Sequence, residues 1–142
     1  MDERLFKERT KKTALRIISL VAALPKNMVA EVLGKQLLRS GTSLAANYRA
    51  ACRAKSRVHF ISKLRDVEEE ADESLFWMEL IVDRGLVKWS LVKPLSDEVE
   101  EILAMVVASI NTLRAKESAP PVPLRPSNEK NRKFKAERSE TS

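Results

Sequence analysis

Between residues 60 and 82, apolar side chains recur at steps of four, three, four, four, three and four: Phe60, Leu64, Val67, Ala71, Leu75, Met78 and Val82. This spacing lays a single stripe along an α-helix and does not fit the two-residue alternation of a half-buried strand. A helix apolar on one side has to bury that side against other elements. The rest of the chain supplies more helices. Three glycines in 142 residues are too few for a chain of hairpins, and Ala, Leu, Glu, Lys and Arg abound.

The first helix is expected over 3–24, with Leu5, Phe6, Ala14, Ile17, Ile18, Val21 and Leu24 at helical steps and Pro25 as the stop. Asn27 suits the N-cap of a second helix over 28–54, marked by Val29, Val32, Leu33, Leu37, Leu44, Tyr48 and Cys52. Gly34 and Gly41 within it point to close helix approach or to a bend around residues 40–43. Ser56 can cap the third helix, 57–84, and Gly85 suits its left-handed terminator. A fourth helix, about 91–116, carries Leu95, Val99, Ile102, Val106, Ile110 and Leu113. Its start falls at Ser90 or Ser96, because Pro94 blurs the boundary.

Four such helices with short loops predict an all-α, antiparallel up-down-up-down bundle over 1–117. Residues 118–142 hold four of the six prolines and few large apolar residues, so a disordered, Pro-rich basic tail is expected there. No run approaches the ~20 apolar residues needed to span a bilayer, and the N-terminus lacks a secretory core, so a cytoplasmic location is expected.

Charge is segregated. From Val32 to Arg65 the chain carries Lys35, Arg39, Arg49, Arg53, Lys55, Arg57, Lys63 and Arg65 and no acid. From Asp66 to Asp83 it carries Asp66, Glu68, Glu69, Glu70, Asp72, Glu73, Glu79 and Asp83 and no base. In a hairpin of the second and third helices the basic block surrounds the turn at 55–57, making one end of the bundle positive. Lys35, Arg39, Arg49, Arg53, Lys55, Arg57 and Lys63 are therefore the candidate contacts to a nucleic-acid backbone, RNA or DNA. The tail holds a net +3 of the chain's formal +6.

Catalytic and metal chemistry finds little to work with. Cys52 is the only cysteine and His59 the only histidine, so a disulfide, a cysteine zinc cage and a paired Glu-x-x-His di-iron site are all excluded within one chain. Gly41-Thr42-Ser43-Leu44-Ala45 lacks the strand-turn-helix setting of a nucleophile elbow. Glu69 with Glu73, or Glu70 with Glu73, read as surface charge. His59 reads as a partly exposed helix residue, Cys52 as a small buried hydrophobe and Asn47 as a buried hydrogen bond fixing helix register. Trp77 implies a second buried face on the third helix, and with Trp89 it marks a possible protein-binding seam. No cofactor, metal or enzymatic role is expected.

Arg39-Ser40, Ser43, Ala46-Asn47, Arg53, Ser56, Phe60, Leu64, Glu70-Ala71-Asp72-Glu73 and Trp77 together resemble the four-helix-bundle family of 23S rRNA intervening-sequence proteins, over about residues 4–116. The family is similar to the accessory variability protein of diversity-generating retroelements. That resemblance implies a basic homopentamer that binds nucleic acid, with a reverse transcriptase or a ribosomal component as a further partner. The alternative from the residues is a structural protein-protein scaffold whose positive end is merely solvated.

Overall fold

The computed structural model describes residues 2–118, and the expected disordered tail lies outside them. Four helices follow one another: α1 (Glu3–Ala22), α2 (Met28–Ala51), α3 (Arg57–Asp83) and α4 (Trp89–Ser118). The connections 23–27, 52–56 and 84–88 are five residues each. Loops this short turn each helix back along its predecessor, which gives the antiparallel up-down-up-down bundle expected. α2 and α3 share the most extensive seam, and α1 meets α4 along the thinnest.

The helix ends are set by local chemistry. Asp2, Asn27 and Ser56 each accept a hydrogen bond from the backbone N–H three residues on, at 3.1, 2.9 and 3.1 Å, so α1, α2 and α3 all begin on side-chain caps. α3 ends on Gly85 at φ 78°, with Gly85 N–H donating to Val82 O and Leu86 N–H to Ile81 O. These are the two bonds of a Schellman ending. α4 begins at Trp89 and runs through Pro94, so neither Ser90 nor Ser96 is its boundary. In the second turn Pro94 removes one i→i−4 donor and crowds the carbonyl four residues back, and α4 nevertheless continues through it.

Ile17, Leu37, Leu44, Leu64, Val67, Ile81, Val99, Ile102 and Val106 are fully buried. The buried faces sit a fraction of a turn from the expected stripes. On α3, Ser74 and Ile81 are buried while Leu75 and Val82 are only half-buried. On α1, Thr10 and Thr13 replace Leu5 and Ile18, and on α2 the buried set is Ala30, Gly34, Leu37, Ser40, Gly41, Leu44, Tyr48 and Ala51, with Val29 and Val32 outside. Where Gly41, Ser40 and Ser74 take such positions, the helices approach closely. A Cβ on Gly41 would stand 2.5 Å from Ile17 Cδ1, and Ser40 Oγ meets Ser74 Oγ at 2.8 Å inside the α2–α3 seam. Gly41 thus serves close approach, and α2 is continuous through it. The buried register bond belongs to this serine pair. Asn47 is half-buried and makes no side-chain hydrogen bond among the described residues.

Candidate nucleic-acid interface

One end of the bundle gathers the N-termini of α1 and α3, the C-termini of α2 and α4, and the turn 52–56. Arg49 lies in the last turn of α2. Beyond Ala51 the chain tightens, Cys52 N–H donating to Tyr48 O at 3.1 Å and Arg53 N–H to Ala50 O at 3.0 Å, so Arg53 still follows Arg49 by about one helical turn. Lys55 lies in the turn, and Arg57 opens α3 behind the Ser56 cap. Arg49, Arg53, Lys55 and Arg57 are all exposed. None has a carboxylate within ion-pair distance among the described residues.

The other three candidates are elsewhere or already engaged. Arg39 sits about 15 Å along α2 from Arg49, where it reaches across to α3, contacting Glu70 at 3.3 Å and pairing with Glu73. Those contacts, the Glu73 hydrogen bond foremost, raise its pKa. Burial in turn lifts the Glu70 carboxyl above its ordinary value against the pull of Arg39. Lys63 pairs with Asp66 at 3.5 Å. Lys35 is about 21 Å from Arg49 along α2 and lines a recess between α1 and α2 with Lys26 and Glu31. The basic block is therefore one compact group at the turn and a set of cations neutralised or remote along the bundle.

The sequence also hid neighbours that only the fold supplies. Arg4 and Lys7 on α1 come to the same end, and Lys7 is close enough to lower the Cys52 thiol pKa. Burial nevertheless dominates, pushing that thiol and the Tyr48 phenol above their ordinary values, so neither is an activated nucleophile. Cys52 is half-buried rather than fully buried. Tyr48 packs edge-on against Phe6, with ring centroids 4.6 Å apart, and this contact ties the start of α1 to the end of α2. His59 is exposed on α3, and Ser43 is half-buried within α2. Among the described residues no cluster of His, Cys, Asp and Glu is arranged to hold a metal ion, and no helix is long and apolar enough to cross a membrane.

A second surface lies on the other half of the molecule. Phe76, 49% exposed, stacks edge-on against Trp77, and the buried Trp77 indole N–H has no hydrogen-bond partner among the described residues. Trp89 is also exposed, at the start of α4.

Four antiparallel helices joined by five-residue connections make the chain a member of the all-α helical bundles. Within that class the chain belongs to the 23S rRNA-intervening sequence protein family, whose profile matches residues 5–108. It is also similar to the crystal structure of a protein with unknown function from the S23 ribosomal protein family of Bacteroides thetaiotaomicron VPI-5482. The two share 33% identity and a TM-score of 0.68, covering 73% of this chain and 96% of the other. No curated protein sequence matches the chain.

Proposed function

We propose that this protein is a non-enzymatic, homo-oligomeric accessory protein, assembled as a pentamer, that binds the backbone of structured RNA or DNA through the Arg49–Arg57 end of the bundle. The observation that carries the reading is the contrast between two sets of cations. Arg39 and Lys63 are held by carboxylates, whereas Arg49, Arg53, Lys55 and Arg57 are exposed around one turn with no acid partner among the described residues. Unpaired guanidinium and ammonium groups at this density attract phosphates and release their counterions on contact. The family description, which refers to 23S rRNA, supports RNA as the first ligand to test. A reverse transcriptase or ribosomal component would be a further partner of the same assembly.

A protein-scaffold reading is favoured by one feature, the exposed Phe76 against Trp77, whose indole N–H has no partner among the described residues. Trp77 is about 30 Å along α3 from Arg57, so the two surfaces do not compete. Purification from cells at low salt separates the readings. Nuclease-sensitive absorbance at the nucleic-acid maximum supports the backbone-binding function. A stoichiometric protein that survives nuclease and high salt, with no nucleic acid present, supports the scaffold instead.

A further inference from the structure

The acidic block of α3 is only partly accounted for by its basic neighbours. Asp66 is paired with Lys63, and Glu70 and Glu73 are paired with Arg39. Glu68, Glu69 and Asp72 have no basic partner within ion-pair distance among the described residues. They form one side of an open groove of about 640 Å³ between α3 and α4, floored by Leu103, Val107 and Ile110. Carboxylates beside an apolar floor favour an occupant that is apolar first and positively charged after.

We propose that the groove is the docking site of the chain's own segment 119–125. The apolar stretch Ala119-Pro120-Pro121-Val122-Pro123-Leu124 lies along the floor, and Arg125 faces the α3 carboxylates at the far end.

Three features favour this occupant. The segment starts where it must: α4 ends at Ser118, one turn past Arg114, which lines the groove. The reach matches as well. From Ser118 back to Val107 is about 16 Å along the helix, and residues 120–124 in extended polyproline geometry cover about 16 Å. The order of charge also agrees. Because α3 and α4 are antiparallel, Arg65 and Arg114 share the end of the groove where the segment enters, and Asp72 and Leu103 share the far end. The neutral prolines thus pass the basic end, and Arg125 arrives at the acidic one. Prolines further reduce the conformational freedom lost on docking. This inference stands independently of nucleic-acid binding, and it assigns Arg125 to the flank of α3 rather than to the turn at 52–56.

The test is disulfide trapping in the full chain, with Cys52→Ala removing the native thiol. One variant carries Asn111→Cys and Val122→Cys; its control carries Thr112→Cys and Val122→Cys. Asn111 lines the groove, whereas Thr112, also exposed, lines the recess on the opposite side of α4. Loop closure costs the two pairs nearly the same, so any difference in rate reports where the segment lies. Docking predicts that the 111–122 disulfide forms about tenfold or more faster than 112–122 at low salt, and that the advantage shrinks in high salt as the charges are screened. Equal rates, or a faster 112–122 bond, would overturn the proposal. A disulfide found only between chains would overturn it too, by placing the segment in the groove of a second copy. Circular dichroism of the reduced variants confirms that both compare the same fold.

Discussion

Gly41 of α2 faces Ile17 of α1 so closely that an added Cβ would lie 2.5 Å from Ile17 Cδ1, 2.8 Å from Cγ2 and 3.2 Å from Cβ. The crowded atoms include the stem of a β-branched, fully buried side chain, which cannot rotate out of the way without moving the helix.

Gly41→Ala is therefore expected to destabilise the bundle by about 1–2 kcal/mol, because overpacking outweighs the gain in helix propensity. Gly34→Ala is the comparison. Its Cβ would meet side-chain atoms of Leu24 and Val21 at 3.1 and 3.2 Å, and a small adjustment of these lets the propensity gain offset the crowding to within about 0.5 kcal/mol. Urea unfolding of both variants checks the order. A Gly41→Ala protein as stable as the parent would mean that α1 and α2 do not pack this closely.

Arg39 and the turn cations should separate experimentally. Arg39→Gln leaves Glu70 and Glu73 facing each other without their shared cation, so the melting temperature should fall at low salt and the deficit should shrink as salt screens the repulsion. Nucleic-acid affinity should stay near that of the parent. A loss of affinity as large as that from replacing Arg53 would show that Arg39 belongs to the interface.

Alkaline pH should unfold the protein through Tyr48. Its phenol is 2% exposed, and burial raises its pKa above the ordinary 10.0. A raised folded-state pKa contributes stability that is complete below the unfolded-state value and is lost as pH rises from there through the folded-state value. In a Cys52→Ala background, which removes the second raised acid, stability should decline above pH 10 at up to about 1.4 kcal/mol per pH unit. Tyr48→Phe should remove that component. Because Tyr48 is the only tyrosine, its phenolate absorbance follows the event directly and should appear together with loss of helix. Phenolate absorbance arising well before helix loss would contradict the buried placement.

The helices were legible because their signals are local. Asn27 and Ser56 cap the helices whose stripes follow them, and Gly85 adopts the positive φ that a helix terminator needs. Which residue of a stripe faces the core was less legible. Ser74 is buried where Leu75 was expected because it meets Ser40 across the α2–α3 seam, and hydropathy alone does not encode that approach. The charged end was partly legible for the same reason. Arg49 to Arg57 are neighbours in the chain and remain neighbours in space. Arg39 is 31 and 34 residues from the two glutamates it meets, and only the α2–α3 register reveals that pairing. Arg4 and Lys7 come to the basic end through the antiparallel return of the chain, a relation with no signature in their own segment.

Contact between nucleic-acid phosphates and the cations around the 52–56 turn, which have no acid partner among the described residues, is checked by fluorescence anisotropy of a labelled RNA hairpin and a DNA duplex, titrated with the full chain across a salt series. Affinity should fall linearly with salt on logarithmic axes. For Arg49→Gln/Arg53→Gln/Arg57→Gln the slope should be shallower by about 2 to 3, with helix content unchanged. No binding at the lowest salt, or a triple variant that keeps the parent's affinity and slope, would contradict it.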